Sequence, residues 1–290
     1  MKISRLMTPQ IWGFAMQRLC TWYPLRDVLT SLVAATKPRH SHVDERSAQL
    51  CAKLQRDGIA ELPTFVDASI VQRIRAQLEN LPLRERFAAR RDGFTLDKVP
   101  TNVHVAEYAT EDILACPDVL KIANHPTLLD AAALYLGCKP TISSLSVWWS
   151  LPADGTAQEA ENYHRDVDDW RFVKFFLYLT DVDDDSGPHC FVRGSHRTSN
   201  FLRIRRISDQ EIRKAFPQQD LLRINGRAGD AFLEDTFGLH KGQPPLRSRR
   251  LLLQVQYSIC PIAVYTYRPL QLPGITPVLD EYSSRLYVAN

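Results

Sequence analysis

His164 and Asp166 stand two residues apart in the run Tyr163-His164-Arg165-Asp166. On an extended strand such a pair projects from one face, so one metal ion can take the imidazole and the carboxylate together. A metal held by two His and one carboxylate keeps three adjacent positions open, the arrangement used by non-haem Fe(II) oxygenases. A co-substrate and O2 both need such positions. The second His must come from a distant strand, and His240 lies between two strand-like runs, 230–234 and 250–258. Arg249 or Arg250 opens the second run. A guanidinium there can form a bidentate pair with a dicarboxylate co-substrate. A lone His-x-Asp is more often a surface pair or a cap. The strand-rich setting, the distal His and the following Arg set this one apart.

The elements that must position these residues change character near residue 140. Before it the pattern is helical. Ile11, Phe14, Ala15, Leu19 and Trp22 recur at helical spacing until Pro24 interrupts them. Residues 45–56 read as a helix and 58–63 as a short strand ending in a turn. Asp67 is placed to cap a helix over 68–81, and 84–92 is a charged stretch. Helices over 113–135 are interrupted near Pro126 and closed by Gly137. After residue 140 the period is two. Strands are expected over 143–151, 172–182, 190–192, 221–224, 230–234 and 250–258. Turns such as 153–155, Ser186-Gly187-Pro188 and Asn225-Gly226 separate them. Residues 203–215 form a basic insert with helical character. Helices followed by many short strands predict a mainly β fold with helices packed against a sandwich or barrel.

Within 172–182, Lys174, Phe176, Tyr178 and Thr180 share one face. The opposite face, purely apolar, suits packing on the N-terminal helices. The mixed face then lines the site and sets Lys174 near an anionic group. The bland alternative is a lysine reaching solvent at a strand end. Of Trp148 and Trp149, one belongs to the core and one to the pocket. His189 and His196 read as structural residues of a turn, and His104 and His125 have no partner at metal spacing. Arg193, Arg197, Arg203, Arg205 and Arg206 are by default a solvated face. The sharper reading is an anionic small-molecule substrate entering beside them.

Several of these segments together resemble one family. The segments are His164-Arg165-Asp166, Lys174-Phe175-Phe176-Leu177-Tyr178-Leu179-Thr180-Asp181, Gly187-Pro188-His189 and Arg193-Gly194-Ser195-His196, then Gly229-Asp230, His240 and Arg250. With Asp57-Gly58-Ile59-Ala60 before them, they resemble the phytanoyl-CoA dioxygenase family over about residues 50–260. The resemblance implies a double-stranded β-helix, or jelly roll, covered by N-terminal helices. It also implies mononuclear Fe(II), with 2-oxoglutarate as co-substrate and O2 as oxidant. The implied reaction is oxidative decarboxylation to succinate and CO2, coupled to hydroxylation of a C–H bond. By motif position the iron ligands are His164, Asp166 and His240. Arg250 pairs with the far carboxylate of 2-oxoglutarate, with Arg249 its rival at one position's shift. Relatives that halogenate carry a small residue where Asp166 stands, so the carboxylate favours hydroxylation. Two alternatives differ in class: a catalytically silent binding module of the same fold, and a cupin-type enzyme that does not use 2-oxoglutarate.

Composition narrows the field further. The 290 residues are 44% apolar and 24% charged, which excludes disorder, collagen and coiled coil. Lys+Arg exceed Asp+Glu by only 36 − 33 = 3, so nucleic acid is not an expected partner. No apolar run has a bilayer-spanning length. Six scattered cysteines without a C-x-x-C pair, and a start from Met1 to Arg5 lacking a signal-peptide pattern, lead to an expectation of reduced thiols in the cytoplasm. Residues 1–44 are read as a basic amphipathic segment that packs on the domain or touches a membrane surface. Residues 45–290 are read as a single oxygenase domain.

Overall fold

The computed structural model describes residues 9–86, 93–153, 155–272 and 279–289. The start from Met1 to Arg5, residues 87–92 of the charged stretch and Asp154 of the turn 153–155 lie outside them. Among the described residues two helices come first, α1 (Pro9–Leu19) and α2 (Tyr23–Ala34). Pro24 therefore starts a helix as well as ending a pattern. Its fixed φ suits the first turn, where a backbone N–H would have no partner anyway. Helix α3 (Glu45–Asp57) is capped by Asp44, whose carboxylate accepts the Ser47 N–H at 2.6 Å. Gly58 closes it at φ 79° and leads into β1 (Ile59–Leu62). Helix α4 (Ala68–Leu78) stops three residues short of the expected end, ahead of Pro82, and the Asp67 side chain makes no cap bond. Then come β2 (Leu83–Glu85), β3 (Val105–Tyr108) and α5 (Thr110–Leu114). Helices α6 (Pro117–Ala123) and α7 (Pro126–Leu136) both begin on proline, and Gly137 ends α7 in the left-handed region as expected.

The strands beyond residue 140 are β4 (Thr141–Ser150), β5 (Phe172–Tyr178) and β6 (His189–Val192). After α8 (Asp209–Ala215) follow β7 (Leu221–Ile224), β8 (Ala231–Glu234), β9 (His240–Gly242) and β10 (Arg250–Ser258), and α9 (Glu281–Ser284) comes near the C-terminus. They build two antiparallel sheets. The larger has the order β1-β8-β5-β10-β4-β3-β2, the smaller β7-β6-β9. Strand β5 ends at Tyr178, before the expected Val182, where the pairing with β8 stops, although the Leu179 N–H still donates to the Leu251 carbonyl of β10 at 3.0 Å. Tyr178 faces Leu252 in β10, and β8 begins only at Ala231. Strands β5 and β10 are buried throughout, β4 everywhere but at half-buried Ser146, and the three carry the centre of the large sheet. The fold is mainly β with helices, a jelly roll of the cupin-like kind.

One face of the large sheet meets the helices. Val173, Phe175 and Leu177 of β5 pack there with residues of α3, α4 and α7, as the alternation predicts. The other face looks at the small sheet. Trp148, Phe176, Tyr178, Phe191, Phe232 and Leu252 fill the space between the sheets. Trp149 joins the helical core, which settles the pair.

Helices α1 and α2 reach the same body through polar groups. Gln17 donates to the Val167 carbonyl at 3.3 Å, and Thr30 donates to that of Trp170, also at 3.3 Å. Buried Arg26 donates to the Asp169 carbonyl and, at 2.6 Å, to that of Gln17. Asp27 pairs with Arg171. The loop after Asp166 is thus held from outside by the N-terminal helices.

Candidate metal centre

Residues 163–166 form no ladder strand, yet they are extended and tied on both sides. His164 and His240 exchange both backbone hydrogen bonds, at 3.0 and 3.1 Å, across an antiparallel bridge. Directly opposed residues project from the same face, and so do residues two apart on one segment. The bridge and the i, i+2 spacing therefore bring His240, His164 and Asp166 together. The Asp166 N–H donates to the Thr236 carbonyl at 2.9 Å, fixing the far end. Between the two, the buried Arg165 guanidinium bonds the carbonyls of Ser195, Asn200 and Phe237. That peg holds the segment down.

The three candidate ligand atoms lie within 4.8 Å of one another, the one such group among the described residues. His164 Nε2 is 3.5 Å from Asp166 Oδ1, and His240 Nε2 is 3.4 Å from Asp166 Oδ2. The ring centroids are 4.2 Å apart. Each imidazole donates its Nδ1–H to a carbonyl two residues back, Asn162 at 2.9 Å and Gly238 at 3.0 Å. Both Nε2 lone pairs therefore aim at the shared space, the orientation a metal requires. Two nitrogens and one carboxylate with a common opening fit a divalent iron.

Lys174 supplies the local charge balance. Its Nζ lies 2.5 Å from Asp166 Oδ2 and 3.3 Å from Asp168. Burial works to raise the Asp166 carboxyl, but Lys174 and the imidazoles outweigh it and hold it well below the usual range. The anionic group beside Lys174 is thus Asp166 itself. Burial, then the neighbouring His164, lowers His240, so the imidazole is neutral and its Nε2 can donate electrons to a metal.

Arg250 points into the same cleft, a space of 490 Å³. Its Nη2 donates to Ser150 Oγ at 3.1 Å, the residue opposite it in the β4–β10 register. Its Nε and Nη1 are buried without a partner. A Cβ on Gly242 would stand 3.3 Å from Nη2, so the missing side chain leaves that flank open. A buried guanidinium with orphan donors fits a carboxylate arriving from outside the protein. Arg249 lies on the other side of the sheet, over the Trp149 ring at 5.2 Å, and does not line this cleft. Arg205 and Arg206 do line it, but each is ion-paired, with Glu211 and Glu159. Arg203 is exposed and lies outside the lining.

Three cleft features escaped the sequence reading. Ser150 depends on strand register. His104 donates to or accepts from Glu161 at 2.9 Å inside the cleft. His189 is no ligand candidate but pairs with Glu234 at 2.9 Å behind His240. Burial lowers His189 well below its usual value and raises Glu234 to about 8. Both partners are then neutral near pH 7.

A raised folded-state pKa contributes stability below the unfolded value and loses it as pH rises through the folded one. For Glu234 that window runs from about 4.5 to about 8. Glu234→Gln, neutral at every pH, removes the slope. Its melting temperature, measured without metal, should gain on wild type as pH rises across the window. Parallel curves would refute the neutral carboxyl.

Two comparisons bear on this geometry. A family model described as phytanoyl-CoA dioxygenase (PhyH) matches residues 54–246. Among solved structures, the epimerase SnoN in complex with Fe3+, alpha ketoglutarate and nogalamycin RO is similar at TM-score 0.51 and 20% identity, over 79% of this chain and 90% of that one. HygX from Streptomyces hygroscopicus, with nickel and 2-oxoglutarate bound, is similar at TM-score 0.51 and 17% identity, over 77% and 91%. The carbocyclase SnoK from nogalamycin biosynthesis gives TM-score 0.51 and 17%, over 75% and 87%. At such identities the likeness is one of fold. No curated protein matches the sequence.

Proposed function

The chain belongs to the phytanoyl-CoA dioxygenase family, and from that premise we propose that it is an Fe(II)- and 2-oxoglutarate-dependent oxygenase that hydroxylates a C–H bond of a small molecule. The observation that carries this reading is the shared cleft. Two free Nε2 atoms and one carboxylate converge in it, and a buried arginine with unused donors stands in the same space. A cupin-type enzyme without 2-oxoglutarate would have no use for that arginine.

In this reading His164, Asp166 and His240 hold the iron. When bound, iron with 2-oxoglutarate and O2 supplies an oxidant that removes hydrogen from carbon, with succinate and CO2 released. The protein's own part is orientation. The carbonyls of Asn162 and Gly238 fix the imidazole tautomers. Lys174 positions Asp166 by holding one of its oxygens. Arg250, steadied by Ser150, takes the far carboxylate of the co-substrate. Trp148, Phe176 and Leu252 give the cleft an apolar wall that limits water near the reacting atoms.

Anaerobic addition of Fe(II) and then 2-oxoglutarate should produce the visible charge-transfer band of the chelate. Admission of O2 should then release succinate. A protein that shows no band is not a 2-oxoglutarate enzyme. SnoN is named an epimerase and SnoK a carbocyclase, and those outcomes add no oxygen to the product. Hydroxylation therefore has its own test: with 18O2 and a turned-over substrate, the product gains one labelled oxygen atom.

A further inference from the structure

The two N-terminal helices bury polar side chains and expose a row of large apolar ones. Their polar residues Gln17, Arg26 and Thr30 are buried and bond to the loop that follows Asp166. Ile11, Phe14, Leu29 and Val33 are partly buried, but the other large apolar residues are exposed. Trp12, Met16 and Leu19 recur at i, i+4 and i+7 along α1, and Leu25, Val28 and Leu32 at i, i+3 and i+7 along α2. Trp22 stands between the helices. Leu19 is 80% exposed, Trp12 63% and Trp22 56%. Scattered exposed apolar residues are ordinary, but a face of seven on adjoining helices is not.

Charge narrows what covers this face. Among the described residues of α1, α2 and the chain just after them, the cations that reach the surface are Arg18, Lys37 and Arg39, against one acid, Asp27; Arg26 is buried. Asp27 is taken up by Arg171. A second copy would bring the same cations against these. A surface of lipid phosphates would complement them, and tryptophan favours the headgroup level of a bilayer. Among the described residues no helix is long and apolar enough to cross a membrane, so a surface-lying mode is the one that fits. Arg18, on the same helix, lines the cleft.

We propose that the outer face of α1 and α2 docks the protein on an anionic phospholipid bilayer, with the mouth of the cleft at the membrane surface. The proposal does not depend on the metal or on turnover. Full-length protein should sediment with phosphatidylcholine–phosphatidylglycerol vesicles and remain in the supernatant with phosphatidylcholine alone. The bound fraction should fall as salt is raised. The triple substitution Trp12→Ser, Leu19→Ser and Leu32→Ser removes exposed side chains only, and circular dichroism checks its fold. It should lower the bound fraction about tenfold or more. Three results would each overturn the proposal: no sedimentation of wild type, equal sedimentation of the triple variant, or a dimer by light scattering that the same substitutions disperse. The last would assign the face to a second copy.

Discussion

His240→Ala should abolish the visible band of the iron chelate and lower turnover by more than about a hundredfold, since even the loss of a partner behind a ligand costs about 10- to 100-fold. Three donors meet here, and their neighbours orient them before any metal arrives. Removing one leaves two, too few to keep the ion against solvent. His164→Ala should behave alike, because the paired backbone bonds make the two His equivalent in position. Asp166→Ala is a less clean variant. It deletes the nearest counter-ion of buried Lys174, leaving Asp168 at 3.3 Å, and an unbalanced buried charge costs about 3–5 kcal/mol. Its loss of activity would mix with loss of fold. His189→Ala is the informative control. That ring stacks on His240 with centroids 5.7 Å apart, yet its Nε2 is turned to Glu234. The band should survive its removal. Titration of apo variants with Fe(II) under argon, followed by stopped-flow succinate release, makes the comparison. A band that persists in both His164→Ala and His240→Ala would remove these residues from the metal.

The parts of this site that could be read from sequence are those set by local spacing. His164 and Asp166 are two apart, and an extended backbone needs nothing else to align them. Strands β4, β5 and β10 are the longest strands and alternate with period two, and they stand close to where that period predicts. The parts that could not be read depend on which segment lies beside which. Strand β9 has only the three residues His240–Gly242, too few to show a period, yet it carries His240. Strands β2 and β3, of three and four residues, extend the large sheet unannounced. Ser150 becomes a partner of Arg250 only through register. Glu234 reads as one more strand residue until β8 places it behind His240. Arg26 reads as surface charge, but its guanidinium lies over the Phe237 ring at 4.4 Å and bonds the loop carbonyls. Proline misled in a different way. Its meaning at position 24 depends on whether the chain is leaving a helix or entering one.

Arg250→Leu should raise the KM for 2-oxoglutarate about a hundredfold or more while making the empty protein more stable. The two effects share one cause. Among the described residues no carboxylate lies within ion-pair distance of Arg250, and two of its nitrogens are buried without partners. A buried charge kept in that state costs stability, so an uncharged leucine should raise the melting temperature even though its shorter side chain gives back part of the gain as a cavity. Burial also pulls the Arg250 pKa below its usual value, the expected mark of a cation whose partner is elsewhere. When a co-substrate carboxylate fills the space, the same guanidinium becomes half of a charge-assisted pair, and losing such a buried pair costs about 2–5 kcal/mol. Wild type should therefore gain about 3 kcal/mol when 2-oxoglutarate is present at a hundred times its Kd, and the variant should gain almost nothing at that concentration. Arg250→Lys should fall between them, because an ammonium offers one point of contact where the fork offers two. Arg249→Ala should leave the KM nearly unchanged, since that side chain lies over Trp149 on the far side of the sheet. Thermal shifts with and without 2-oxoglutarate, set beside steady-state KM values, test the whole pattern. A larger KM effect at Arg249 than at Arg250 would reverse the assignment, and an Arg250→Leu protein still stabilised by 2-oxoglutarate would end it.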